Sequence, residues 1–183
     1  QLDMESNGKS VGKDGKAVRH SSPVVFGSAG SNAQHSYFQL FHQGPEIIPI
    51  DFIAVRNPMS DRPEAVAHHR ILLSNCLSQA QSLAHGKSDS NPNSVYPGKR
   101  PSNLLLLPEL NAFYLGALLA LYENRAATLG ALWNINSFDQ PGVEYGKVLA
   151  KPIEKALSSG SHDVKASDAI DSVTAARINL LNS

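Results

Sequence analysis

The stretch from Ile47 to Val55 constrains this chain most. Ile47, Ile48, Ile50, Phe52, Ile53 and Val55 are all large and apolar. Successive strand residues point to opposite faces, so a nearly continuous apolar run predicts a strand covered on both sides. A sheet covered twice needs helices above and below it, and the flanking sequence offers them. Leu73, Cys76, Leu77, Ala80, Leu83 and Ala84 recur at helical spacing and predict a buried stripe on a helix over about 64–85. Leu104 to Leu107 reads as a second short buried strand beyond a Ser/Asn/Pro/Gly-rich connector at 86–103.

Upstream, 1–22 reads as loop or hairpin with its turn at Asp14-Gly15. Val24-Val25-Phe26 predicts a strand, and Gly27 to Ser31 a small-residue turn with Ser31 or Asn32 as helix cap. A helix is expected over 33–43, burying Tyr37, Phe38, Leu40 and Phe41 and ending at Gly44-Pro45. Downstream, helices are expected over 111–125, 139–156 and 168–181, with an apolar element at 127–134 and a hinge at 158–166. Short strands alternating with longer helices define an α/β layered fold.

Composition narrows the function. Sixteen basic residues balance sixteen acidic ones among 183, so no basic stripe is available for nucleic acid. A small phosphorylated metabolite needs only one or two local cations and stays open. Length suits one ordinary domain. Cys76 is the single cysteine; it reads as core packing, and with no disulfide possible it favours a reducing, cytoplasmic setting. No stretch reaches the roughly 18 apolar residues of a membrane span. The polar start, Gln1 to Lys9, lacks an apolar signal core and an initiating Met, and predicts a piece of something longer.

Three motifs carry chemistry. The first is Gln1 followed by Asp3-Met4-Glu5-Ser6-Asn7-Gly8-Lys9; the second is Gly30-Ser31-Asn32-Ala33-Gln34-His35, continuing to His42-Gln43-Gly44. The third runs from Gly130-Ala131-Leu132-Trp133-Asn134-Ile135-Asn136-Ser137 through Phe138-Asp139-Gln140-Pro141-Gly142-Val143-Glu144-Tyr145-Gly146-Lys147. Taken alone, Glu5 is a surface carboxylate in a polar loop, His35 a capping or packing histidine, and Lys147 a solvated helix lysine. Trp133 and Phe138 read as core. His68-His69 diverge by about 100° on a helix, so they cannot chelate together as residues four apart can, and no metal is expected. Arg100 reads as an orienter of a loop, and the turn at 27–31 as tight turning rather than a phosphate cradle.

Together the motifs resemble the glucose-6-phosphate isomerase family, in order and over about residues 1–157. The third fits that family's C-terminal signature, with Pro141 where Trp is usual. The resemblance implies an α/β, three-layer αβα sugar-isomerase (SIS-like) fold: 1–157 would be the C-terminal part of the isomerase domain, and 158–183 a hinge and helical arm. It implies interconversion of glucose 6-phosphate and fructose 6-phosphate by ring opening and a cis-enediolate, without cofactor or metal. Glu5 would shuttle the proton between C2 and C1, a task suited to a carboxylate of tunable pKa. His35 would open the ring, reaching the site from the partner subunit of a homodimer; histidine is poised near neutral pH for this. Lys147 would assist at the ring oxygen, and Gln1 and Gln140 would bind substrate, Gln140 towards the phosphate. The family's upstream half, with its phosphate-binding loop and an arginine for the enediolate, is missing, so the chain alone is expected to be a poor catalyst. The competing reading is a non-catalytic sugar-phosphate-binding or signalling fragment.

Overall fold

The computed structural model describes residues 1–183. In chain order the elements are α1 (Met4–Asn7), α2 (Gly30–Ala33), α3 (Phe38–Gln43), β1 (Ile50–Val55), α4 (Pro63–His85), β2 (Ser102–Leu107), α5 (Ala112–Leu132), α6 (Pro141–Ser158) and α7 (Ser172–Asn182). They fall into two compact units, 24–125 on one hand and 1–23 with 126–183 on the other. No helix is long and apolar enough to cross a membrane.

Unit 24–125 is α/β. Strands β1 and β2 pair in parallel, Ile50 opposite Ser102 through Val55 opposite Leu107. Parallel neighbours need a long crossover, supplied here by α4 and the 86–101 connector. The core gathers Phe38 and Phe41 of α3, Ala33, and Leu83 of α4, with Tyr37, Ile48, Ile50 and Phe52 packed against it. Phe38 and Phe41 meet edge-on at 5.4 Å between centroids, the arrangement favoured by the ring quadrupole. The connector closes tightly: Gly86 and Gly98 both have φ of +68°, and a Cβ on Gly86 would lie 2.6 Å from the Gly98 nitrogen. Only glycine suits both positions. Arg100 is buried and donates to the carbonyls of Glu46 and Gly44, at 2.7 and 2.5 Å. It therefore orients the loop that enters β1.

Several expectations need correction here. The helix foreseen over 33–43 is broken into α2 and α3 by turns at 34–37, and α2 begins at Gly30 after an Ala29 cap rather than at Ser31 or Asn32. Val24 to Phe26 is irregular rather than a strand. The two elements placed at 111–125 and 127–134 are one helix, α5; no Gly or Pro pair interrupts it. β1 is not covered on both faces, because only Ala54 is buried. On α4 only Leu83 is fully buried, while Leu77 is exposed. A stripe read from spacing states what a helix can bury, not what lies beside it.

Unit 1–23 with 126–183 holds the hairpin expected at Asp14-Gly15, bridged between Val11 and Ala17. Helix α5 ends in a Schellman motif: Ile135 donates to Gly130 O at 2.8 Å and Asn134 to Ala131 O at 3.2 Å, with Asn134 at φ +58°. Asparagine tolerates this left-handed conformation better than most residues, and the reversal drops Ile135 into the interior. Ile170, Ala175 and Ile178 bury themselves against Ile153, Ala156 and Val164, docking α7 on the end of α6. Asp171 caps α7, accepting from the Val173 and Thr174 amides at 2.9 and 3.0 Å.

Two outcomes are expected. Leu83→Ala, at a side chain 1 % exposed, should cost about 2–5 kcal/mol in denaturant unfolding; a loss below half of that would contradict its place at the centre of the core. The bonds from the Thr174 hydroxyl and amide hold the Asp171 carboxyl below its usual pKa. A depressed carboxylate stabilises the fold above its unfolded pKa, and that contribution disappears as pH falls through the folded value. The Val173 and Thr174 amides should therefore lose exchange protection on acidification, and Asp171→Asn should remove that pH response.

Candidate functional site

Four of the five candidate residues lie in unit 1–23 with 126–183, and each is held by its own local structure. Glu5 is half-buried on α1. The single turn forms as Glu5 N donates to Gln1 O at 3.0 Å, Asn7 N to Asp3 O and Gly8 N to Met4 O. Gln1 thus contributes its backbone to the turn that carries Glu5, while its side chain is exposed. The sequence reading placed Glu5 in a polar loop; the structure puts it on a helical turn.

Gln140 is the N-cap of α6, with Pro141 at the first helical position, where a missing N–H costs nothing. Its carbonyl accepts from Val143 at 3.1 Å, and its side chain is exposed. Lys147 lies on α6, donating to Glu144 Oε1 at 2.6 Å across one turn. That bond and the Glu144 charge hold its ammonium above the usual lysine pKa, and the charge of Glu5 pushes in the same direction. Both lysine and carboxylate face solvent in the Lys147–Glu144 pair, so the pair is open to exchange for another anion.

The loop between α5 and α6 shows why its sequence is so particular. Asn136 accepts from the Phe138 amide and donates to Asp139 Oδ2 at 2.7 Å. Lys9 bonds to Asp139 Oδ1 at 2.9 Å, and this bond, more than the Asn136 donor, keeps the Asp139 carboxyl below its usual range. Phe138 is not core: it is 85 % exposed, whereas Ile135 and Ser137, just before it, are buried. Beside this loop a groove of about 550 Å³ is lined by Gly8 to Lys13 together with Asn136, Asp139 and Pro141. The residues that spacing alone passed over here are Asn7 and Lys9. Their signal was their place inside the same short motif as Glu5.

His35 belongs to the other unit, in the turn between α2 and α3, with its amide donating to Asn32 O at 3.1 Å. Its side chain is exposed, so it is not a packing histidine. A separate cavity of about 410 Å³ in that unit is lined by Gly30, Gln34, Phe38, Phe52, Cys76 and Gln79 among others. Burial raises the Cys76 thiol pKa, which leaves it protonated and unreactive near neutral pH. His69 Nε2 lies 3.1 Å from the Arg56 carbonyl, which can only accept, so that nitrogen carries a proton. The described residues include no cluster of three or more potential metal ligands.

Comparison with known proteins gives the family. Residues 1–178 match the profile of the family described as phosphoglucose isomerase. Glucose-6-phosphate isomerase 1 of Cupriavidus pinatubonensis is 50 % identical over 179 residues, which are 89 % of this chain and 32 % of that protein. Glucose-6-phosphate isomerase 2 of the same species is 53 % identical over 170 residues, covering 86 % and 31 %. A crystal structure of a glucose-6-phosphate isomerase from Chlamydia trachomatis superposes with a TM-score of 0.74 at 38 % identity, over 86 % of this chain and 31 % of that one. The chain thus spans about a third of the length of these relatives. Its α/β architecture and its sequence place it together with them: the chain belongs to the phosphoglucose isomerase family.

Proposed function

We propose that this chain carries the proton-transfer portion of an aldose–ketose isomerase that interconverts glucose 6-phosphate and fructose 6-phosphate. It acts with polypeptide equivalent to the two thirds of its relatives that it does not span. The observation that carries this reading is the placing of the half-buried Glu5 carboxylate on a turn that Lys9 ties, through Asp139, to the loop leading into α6 and Lys147. A base between C2 and C1 and a cation at the adjacent oxygen are what an enediolate needs.

In this scheme the substrate enters as a closed ring. His35, exposed and supplied across a homodimer interface, moves the proton from the anomeric hydroxyl to the ring oxygen, with Lys147 assisting there. Glu5 then takes the C2 proton. The C–H electron pair forms the C1=C2 double bond as the carbonyl pair moves onto O1, giving the enediolate. The C2 hydroxyl proton passes to O1, and Glu5 returns its proton to C1 as the charge on O2 re-forms the carbonyl at C2. Gln1 and Gln140 bind the substrate, Gln140 at the phosphate end, where the start of α6 also favours an anion. Residues 1–157 form part of the isomerase domain and 158–183 the hinge and arm, in a cytoplasmic enzyme. The many exposed apolar side chains of unit 24–125, including Ile53, Leu104, Leu106 and Leu72, support a chain that completes its core with further polypeptide.

A chimera tests this, with the chain replacing the matching segment of the Cupriavidus pinatubonensis enzyme in a coupled assay for glucose 6-phosphate formation. The chimera should turn over, and Glu5→Gln should lower kcat at least about 100-fold, within the ordinary range for losing a general base. A folded chimera that binds sugar phosphate but is indifferent to Glu5→Gln would leave the non-catalytic reading standing. In the chain itself, Glu144→Gln should lower the Lys147 pKa towards that of a free lysine, read from its side-chain NMR titration. An unmoved midpoint would remove Glu144 as the group that holds Lys147.

A further inference from the structure

We propose that Asn7 and Lys9 are positioning residues: they hold α1, and with it Glu5, in fixed register against the loop that leads to Gln140 and Lys147. The proposal rests on the reading of Glu5 as the proton-transfer base. Asn7 is 0 % exposed and uses both ends of its amide. Nδ2 donates to Ala126 O at 2.8 Å, and Oδ1 accepts from the Ser137 hydroxyl at 2.6 Å. Its backbone carbonyl accepts from the amides of Lys9 and Ser22, at 2.9 and 3.1 Å, and from the Ser21 hydroxyl. The donor and acceptor demands differ at the two ends. A carboxylate would face the Ala126 carbonyl with a second acceptor, and serine is too short to reach both partners.

The close approach is built in from the other side. A Cβ on Gly130 would stand 1.9 Å from Ser137 Oγ and 2.8 Å from Asn7 Oδ1, so only glycine lets α5 meet this bonded pair. Lys9 forms the second arm. Its ammonium donates to Ser6 O at 2.7 Å, to Asn136 O, and to Asp139 Oδ1 at 2.9 Å. Three acceptors match its three protons. Its side chain is only 15 % exposed, against 51 % for Asp139. One arm therefore ties the residue two positions after Glu5 to Ser137, and the other ties α1 to the residue just before Gln140. A four-residue helix has too few internal bonds to fix a side chain by itself, so these external ties decide where Glu5 points.

A displacement of about 1 Å at a reacting group costs on the order of 100-fold in rate. In the chimera, Asn7→Asp and Lys9→Met should each lower kcat by about 30- to 100-fold while KM stays within about threefold. Lys9→Arg should restore part of that loss. In the Glu5→Gln background neither substitution should lower kcat further, because both act through Glu5. Equal losses in both backgrounds would overturn the proposal and leave a general stability role. If Asn7→Asp fails to fold, Lys9→Met carries the same test.

A readout independent of turnover comes from the chain itself. Lys9→Met should speed amide exchange at Asn7 and Gly8 about tenfold or more and leave α7 unchanged. Unchanged exchange at α1 would overturn the positioning claim whatever the assay shows. Indifference to Glu5→Gln with faster exchange at α1 would instead sink the catalytic reading alone.

Discussion

One buried amide organises the part of this chain where the proposed chemistry resides. Asn7 joins α1 to α5 and to the loop after it, across sequence separations of 119 and 130 residues. A buried polar group is stable only with its donors and acceptors matched, and leaving one unmatched costs more than the bond contributes. The consequence is specificity of arrangement. Gly130 must lack a side chain, Ser137 must face inward, and the loop from Asn134 to Gln140 must turn in one way. Helix α6, with Lys147, then starts at a defined place relative to Glu5. Lys9 and Asp139 add a charged tie on the solvent side of the same junction.

The other unit shows the opposite condition. Its small core of Phe38, Phe41, Ala33 and Leu83 is well made, yet β1 and β2 form a sheet of only two strands. Ile53, Leu104 and Leu106 stay exposed as a result. Strands with apolar residues on both faces are suited to the middle of a larger parallel sheet. The relatives are about three times as long as this chain, which gives those faces a ready explanation. In the proposed function, proton transfer and core completion have different sources: the first is assigned to residues of this chain, the second to further polypeptide.

Much of this was legible in the sequence. The α/β class followed from the apolar run through β1 and the helical spacing of α4, and the hairpin from Asp14-Gly15. Family membership followed from three motifs in order. Burial was not legible, because periodicity describes one element and burial depends on two; hence the exposed Leu77 and Phe138. The break at 34–37 was hidden because Tyr37, at its end, continues the helical stripe that Phe38 and Phe41 form in α3. The roles of Asn7 and Lys9 were out of reach for another reason. The partners that tie them to α5 and the loop after it are more than a hundred residues away, and no local pattern reports such a bond.

The central claim is that Glu5 moves a proton between two carbons, and solvent exchange tests it most directly. The chimera should be run in D₂O with fructose 6-phosphate, and the glucose 6-phosphate examined by NMR at C2. The account predicts partial deuterium at C2, since a carboxylate holding the proton between transfers loses some of it to solvent, and none formed by Glu5→Gln. Isomerisation that proceeds with no deuterium at C2, or exchange that survives Glu5→Gln, would contradict it.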